Sequence, residues 1–249
     1  MEVIKVQKLF KSYGEVEVIK DISLSVKKGE VFGLLGANGA GKSTTIECIL
    51  GTKNFDSGQV SVLGMNPQKE RKQLFQKVGV QFQESNYQEK ITVKELCEIT
   101  QVLYKNPLDY NKLLLNFNLQ DKVKKPVNEL SGGEKQRLFI ILALIPNPEA
   151  VFLDELTTGL DVRARRYVWN CLLSLKKQGL TIFLTSHFMD EVEVLCDKIC
   201  ILKNGVIHFY GTVAEAVARS PYEKFEDAYL WHADGEELQD ESIWNNAEN

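Results

Sequence analysis

Apolar residues follow two different rhythms along this chain. Through the first thirty positions and again over residues 58–64 they alternate with polar ones, as in VEVIKDISLSV and GQVSVLG, which is the period of a strand with one buried face. Those stretches predict an antiparallel sheet. Three others are apolar almost throughout: VFGLLG at residues 31–36, VFLD at 151–154 and TIFLTS at 181–186. Strands buried on both faces have this composition, and a helical pattern follows each one, the alternation of a parallel α/β core.

From Gln83 to Glu149 strand patterns give way to helical ones. TVKELCEITQVLY begins at Thr92, and the apolar run LFIILALI is preceded by LSGGEKQR. Both openings place Glu three residues after Thr or Ser, a capping box in which two side chains satisfy two otherwise orphaned N–H groups. LDYNKLLLNFNL, after Pro107, predicts a helix between them. Further on, Asn204-Gly205 separates two apolar runs, a hairpin signal because both residues accept positive φ. The pattern predicts an α/β core flanked by an antiparallel β subdomain, with an inserted helical subdomain at about residues 84–148. This unit is expected to occupy residues 1–220, with a short C-terminal extension over 221–249.

Composition narrows the class. With 249 residues, 44% hydrophobic and 26% charged, the chain can bury a sizeable core as one large domain or two small ones. Its longest apolar run, residues 138–145, is closed by Pro146 and falls well short of the roughly twenty residues that span a bilayer. The opening MEVIKVQKLFK spreads charges through its apolar positions, unlike a secretory leader, so a cytoplasmic chain is expected. Cys48, Cys97, Cys171, Cys196 and Cys200 lack paired C-x-x-C spacing and are expected as buried free thiols rather than disulfides or a metal site. The net charge of -4 hides an asymmetry: residues 225–249 hold eight acidic residues and no Lys or Arg, leaving 30 basic against 26 acidic elsewhere. So dispersed an excess does not point to nucleic acid. The stretch after Trp231 is expected to be a solvated, poorly ordered tail, with an acidic docking segment as the alternative.

Candidate chemistry begins at Gly36. The octapeptide Gly36-Ala37-Asn38-Gly39-Ala40-Gly41-Lys42-Ser43 satisfies G-x-x-x-x-G-K-[ST], ends a predicted buried strand and runs into the helical pattern STTIECILG. In that context backbone N–H groups face phosphate oxygens, Lys42 meets the β- and γ-phosphates, and the Ser43 hydroxyl takes Mg²⁺. Thr44 completes the candidate nucleotide-binding set. A glycine-rich turn with no ligand is the alternative. Downstream, VFLDE puts Asp154 and Glu155 at the end of a buried strand, where carboxylates are costly unless a cation or a catalytic task holds them. Asp154 is the candidate to hold Mg²⁺, through water, and Glu155 to take a proton from an attacking water. An ordinary acidic strand exit is the other reading. Kinases, GTPases, helicases and transport ATPases all remain open on these two elements alone.

GANGAGKST, LSGGEKQR, VFLDELTTGLD and TSH stand in the order and approximate spacing of an ATP-binding cassette (ABC) domain. Over roughly its first 215 residues the chain resembles that family. The resemblance implies a P-loop NTPase (RecA-like) core and hydrolysis of ATP with Mg²⁺. It implies that Ser131, Gly132 and Gly133 face the nucleotide held by a second copy rather than their own. A helix end is positively polarised, and glycines let it approach a terminal phosphate; close packing within the chain is the other use of two glycines. Tyr13, in KSYG, resembles the aromatic residue that stacks on adenine. Gln83 matches the glutamine that touches Mg²⁺ or its water and relays nucleotide occupancy to a membrane partner, with Gln81 a near neighbour. Asp161, in TTGLD, resembles the aspartate that crosses the dimer interface, although it could equally cap the helix after it. His187 matches the histidine that hydrogen-bonds the γ-phosphate. Where the family usually has proline after the catalytic glutamate this chain has Leu156, which leaves the backbone of Glu155 less restrained.

The segment GVIHFYGTVAEAVARSPYEKFEDAYL is similar to the short C-terminal region of ATPases that serve ABC-2-type exporters. The resemblance therefore implies an ATP-hydrolysing homodimer at the inner face of the cell membrane, attached to a separate integral membrane permease. No nucleic-acid partner is expected. The alternative is a soluble mechanical ABC ATPase of the DNA-repair or translation type, which would need a coiled-coil insertion, zinc cysteines or a second cassette. A P-loop kinase would leave LSGGE without a use.

Overall fold

The computed structural model describes residues 1–81, 90–155 and 157–234. The alternating opening becomes β1 (Glu2–Tyr13) and β2 (Val16–Lys27). β3 (Val31–Gly36) runs into α1 (Lys42–Ile49), after which β4 (Ser57–Val62) and the single turn α2 (Arg71–Leu74) lead to β5 (Val78–Gln81). Three helices follow, α3 (Val93–Val102), α4 (Tyr110–Asn116) and α5 (Gly132–Leu144). The chain then alternates through β6 (Ala150–Leu153), α6 (Val162–Lys177), β7 (Thr181–Thr185), α7 (Met189–Leu195) and β8 (Lys198–Lys203). It closes with β9 (Val206–Gly211), α8 (Val213–Ala218) and α9 (Phe225–Asp234). Among the described residues no helix is long and apolar enough to cross a membrane.

Six strands form one sheet in the order β5-β6-β7-β3-β8-β9, and three form an antiparallel sheet in the order β2-β1-β4. In the larger sheet every pairing is parallel except β8 with β9. That exception is the predicted hairpin, turning at Asn204 and Gly205 with Asn204 at φ 50°. β5 is a parallel strand that no apolar run announces, and β8, foreseen as one arm of the hairpin, also pairs in parallel with β3. β5 is only four residues long, and lysines bracket β8.

Alternation of faces decides what each side of the larger sheet covers. Phe32, Leu34, Phe152 and Phe183 pack with α1 and with Ile4, Leu9, Ile22 and Val26 of the antiparallel sheet. The Phe183 ring lies 5.2 Å from Phe32 and 5.4 Å from Phe152, centroid to centroid. Val31, Leu153, Ile182 and Leu184 face the other way, against Leu138 and Ile141 of α5 and Trp169 and Leu172 of α6. Each such side chain, fully buried, contributes about 1.5–3 kcal/mol, so the strand ends are held from both faces.

Local signals are met where they were expected. Thr92 with Glu95 and Ser131 with Glu134 form complete capping boxes on α3 and α5. Five free cysteines are present, Cys48, Cys97 and Cys200 buried and Cys171 and Cys196 half-buried. Burial pushes the Cys48 thiol up to about 11 and the Cys97 thiol up to about 12, which keeps them protonated and unreactive. One expectation is corrected: the helix α9 continues past Trp231 to Asp234. Ala233 is buried there and His232 Nε2 lies 3.0 Å from the Ala216 carbonyl, so packing on α8 carries the helix on. Residues 235–249 lie outside the described residues.

A Cβ on Gly79 of β5 would collide with the Ala143 carbonyl oxygen of α5. Gly79→Ala is therefore expected to lower the unfolding free energy by about 1–3 kcal/mol in a denaturant melt. An unchanged midpoint would contradict this close approach.

Candidate active site

Parallel strands gather the loops that follow them at one edge of the sheet. Here β6, β7 and β3 are adjacent, and they deliver Asp154 and Glu155, His187, and Lys42 to that edge. The turn between β3 and α1 depends on Gly41, which is left-handed at φ 102° and whose absent Cβ would stand 2.9 Å from the Val18 carbonyl oxygen. A side chain there would be both strained and obstructed. α1 opens with no side-chain cap and no acidic residue in its first turn, so its leading N–H groups and positive end are open to an anion.

Lys42 is 7% exposed. Its ammonium donates to the carbonyls of Gly36 at 2.7 Å and Ala37 at 3.1 Å. Burial lowers its pKa, while the charges of Glu155 and Asp154 raise it. Asp154 is 8% exposed. Burial pushes its carboxyl above the usual range, the Thr185 hydroxyl draws it down, Glu155 adds to the rise and Lys42 opposes it.

Thr185 joins the two acids. Its hydroxyl donates to Asp154 Oδ1 at 2.5 Å and accepts the Glu155 N–H at 2.9 Å. Glu155 itself is left-handed, at φ 49°, a conformation that costs a non-glycine residue on the order of 1 kcal/mol. The hydrogen bond to Thr185 helps hold that turn. Glu155 Oε1 then lies 3.0 Å from His187 Nε2. A carboxylate paired with an imidazole, beside a buried ammonium, is an arrangement that could take a proton from water next to a phosphate.

Val18, Asn38, Gly39, Gly41, Lys42, Ser43, Thr44 and Glu155 line a cleft of about 510 Å³. A larger hollow of about 810 Å³ lies over the antiparallel sheet, between Lys5, Lys8 and Tyr210. It gathers no acid and no activated nucleophile, so the smaller cleft is the one with chemistry.

The remaining candidates stand elsewhere. Tyr13 is half-exposed at the end of β1, with the ammonium groups of Lys11 and Lys53 at 5.0 and 5.6 Å from its ring centroid. Ser131 and Gly132 are exposed at the tip of α5. A Cβ on Gly132 would meet only the Gly159 carbonyl at 3.6 Å, and one on Gly133 the flexible end of Leu160 at 3.3 Å. Packing within the chain therefore does not demand a glycine at 132. Those contacts join the tip of α5 to the loop before Asp161 in one surface patch. Asp161 caps α6, accepting the Ala164 N–H at 2.8 Å, and is exposed. Tyr13, Ser131, Gly132, Gly133 and Asp161 do not line the cleft; nor do Gly36, Ala37, Ala40, Asp154 and His187, of which Gly36 and Ala37 are hydrogen-bonded to Lys42, His187 is paired with Glu155 and Asp154 lies within the field of Lys42. Gln83 and Leu156 lie outside the described residues. Gln81 is buried and donates to the Asp154 carbonyl at 3.3 Å.

Sequence reasoning missed Thr185 and Val18. The available signal for Thr185 is a hydroxyl residue closing a buried parallel strand beside the one that ends in Asp154. Val18 carries no such signal, because it reaches the cleft from the other sheet.

Residues 19–158 match the family described as ABC transporter. The chain belongs to the ABC transporter family. It is 42% identical over 200 residues to the Nod factor export ATP-binding protein I of Rhizobium etli, a stretch covering 78% of this chain and 63% of that protein. To the linearmycin resistance ATP-binding protein LnrL of Bacillus subtilis it is 37% identical over 221 residues, covering 87% and 71%. The chain spans just under two thirds of the length of the Nod factor export protein of Rhizobium etli. The solved structure of an ATP-binding subunit of an ABC transporter superposes with a TM-score of 0.84 at 26% identity, over 92% of this chain and 99% of that one. A nucleotide-free ATP-binding cassette from an ABC transporter superposes at 0.81, with 27% identity and the same coverage. The architecture is that of a P-loop NTPase of the cassette type.

Two carboxylates face one ammonium, so neutralising Asp154 leaves Lys42 balanced by Glu155. The folded-state pKa of Asp154 lies above its unfolded value, so the fold disfavours its ionised form. That penalty is absent below the unfolded pKa and grows as pH rises. Asp154→Asn keeps an acceptor for Thr185 and is expected to raise the Tm at pH 7. The gain should shrink towards pH 4. A lower Tm at pH 7 would contradict the balance of charges.

Proposed function

We propose that this chain binds ATP with Mg²⁺ and hydrolyses it to drive a separate membrane permease, of the ABC-2 exporter type. The observation that carries the proposal is the convergence of Lys42, Asp154, Glu155 and His187 at the ends of three adjacent strands in an ABC cassette. Names of the relatives, an export protein and a resistance protein, support the export role, as does the FEDAYL segment that forms the start of α9. A permease-free mechanical ATPase draws no support from them. On this reading the chain is cytoplasmic and sits on the inner face of the membrane through its permease.

The donor set suits Mg²⁺. Ser43 and Asp154 offer hard oxygen atoms within reach of the Lys42 charge, Gln83 is a further candidate, and this ion takes most of its other ligands from water and phosphate. When bound, Mg²⁺ offsets charge on the phosphate oxygens. The N–H groups of residues 36–44 and the Lys42 ammonium would grip the β- and γ-phosphates, with Tyr13 against the adenine. Glu155 takes the proton of a water aligned for in-line attack, and His187, hydrogen-bonded to Glu155, steadies the terminal phosphate. Ser131, Gly132, Gly133 and Asp161 serve the nucleotide of a second copy. The patch they form apart from the cleft supports that assignment, and so does a Gly132 that packing leaves optional.

Glu155→Gln is expected to retain ATP binding, lower turnover by about 10²–10⁴ and accumulate an ATP-bound dimer in size-exclusion chromatography. Wild-type turnover in this variant would remove Glu155 from the chemistry. Lys42→Ala is expected to weaken equilibrium ATP binding by about tenfold or more in calorimetry, as loss of a charge-assisted contact requires. Unchanged affinity would contradict the role given to the loop.

A further inference from the structure

Glu191 has no part in the chemistry above, yet it is 0% exposed. It lies in the first turn of α7, four residues after His187. An acid at this position of a helix ordinarily turns back to the N-cap N–H. Here the Phe188 N–H is taken by Ser186 Oγ at 3.0 Å, and Glu191 turns inward. Its Oε1 accepts the indole N–H of Trp169, on α6, at 2.8 Å. Among the described residues its Oε2 has no hydrogen-bond partner, and neither has the buried hydroxyl of Thr157. Thr157 and Ser186 both stand beside the carboxyl. Burial raises the carboxyl above the usual range, with Ser186, Trp169, Thr157 and the Arg165 charge opposing the rise. The Thr157 hydroxyl beside it can donate to a carboxylate or accept from a carboxyl, so Oε2 and Oγ1, each without another partner among the described residues, can satisfy one another whichever carries the proton.

Fully buried acids are rare, and an apolar side chain of similar volume is often the more stable choice. What the carboxyl adds is a connection between three segments. α6 already grips the His187 loop: Arg165 lies 4.5 Å from the Phe188 ring and 3.5 Å from Asp190 Oδ1. We propose that Glu191 is a positioning residue for the hydrolytic pair, its carboxyl tying the loop after Glu155, at Thr157, and the loop of His187, at Ser186, to α6 through Trp169. With both loops fixed to one helix, Glu155 and His187 keep their 3.0 Å separation. Asp161 caps α6, so the same tie links that pair to the surface patch beside Ser131. The inference rests on the hydrolytic role proposed above.

Glu191→Leu removes the tie at similar volume. Glu191→Gln keeps it, the amide accepting from Trp169 and donating to Thr157. Hydrogen exchange on the full chain reads the loops without any hydrolysis. In Glu191→Leu, residues 157–161 and 186–190 are expected to exchange about tenfold faster or more while residues 36–50 are unchanged, and Glu191→Gln should stay within about threefold of wild type. ATP turnover, measured where every variant is folded, should show kcat reduced about tenfold or more in Glu191→Leu with KM within about twofold, and Gln should restore it. Wild-type exchange in Glu191→Leu, or loops as loose in Glu191→Gln as in Glu191→Leu, would overturn the proposal. So would loosened loops with full kcat. If the wild-type chain hydrolysed no ATP, exchange would still decide for Glu191 while the hydrolytic reading failed. If Glu191→Leu did not fold, Thr157→Val, which cuts one tie only, should loosen residues 157–161, and unchanged exchange there would overturn the proposal equally.

Discussion

Lys42, Asp154 and Glu155 bring one positive and two negative charges to the same edge of a sheet, and burial disfavours both Lys42 and Asp154 in their charged forms. Hydrogen bonds from Lys42 to Gly36 and Ala37, and from Thr185 to Asp154, offset part of that cost. The groups cannot drift apart to reduce it, because the strands that carry them are fixed by apolar packing on both faces, Phe32, Phe152 and Phe183 on one and Val31, Leu153 and Leu184 on the other. A surplus of negative charge beside an uncapped helix end and a lysine is an arrangement that a phosphate chain accompanied by a divalent cation would complete. The left-handed Glu155 adds a second cost at the same place. Strain and uncompensated charge of this kind concentrate where a fold is used rather than where it is merely held together.

Much of this was legible in the sequence because the relevant residues are contiguous. The loop from Gly36 to Ser43 and the VFLDE strand end carry their chemistry in short segments, and the capping boxes at Thr92 and Ser131 need only residues three apart. What was hidden depends on register between distant segments. Leu153 pairs with Leu184, which is what sets Thr185 beside Asp154; within TIFLTS alone that threonine reads as an ordinary strand former. MDEVEVL holds three acids in seven residues, and only the position of Trp169, on another helix, selects Glu191 as the buried one. The end of α9 is hidden for a similar reason, since Ala233 gains its burial from α8 and the sheet rather than from its neighbours in sequence.

Each chain presents two unlike surfaces. One is the cleft lined by Lys42 and Glu155, with Asp154 and His187 beside them. The other is the exposed tip of α5 with the loop before Asp161. α6 starts beside the second surface, and its Arg165 and Trp169 contact Phe188, Asp190 and Glu191, next to the His187 of the first. On the proposed reading these surfaces meet only between chains, the tip of one closing over the cleft of the other. That arrangement would make hydrolysis depend on closure, and closure is what a membrane partner can be driven by.

The claim that each hydrolytic site is built from two chains is tested most directly by mixing two variants, Lys42→Ala with its cleft impaired and Ser131→Arg with its helix tip blocked. Every site in a dimer of either variant alone lacks one half, whereas a mixed dimer holds one site with an intact cleft facing an intact tip. The account predicts that neither variant hydrolyses ATP by itself and that the mixture regains hydrolysis. Full turnover by Ser131→Arg alone, or a mixture no more active than its separate components, would contradict it.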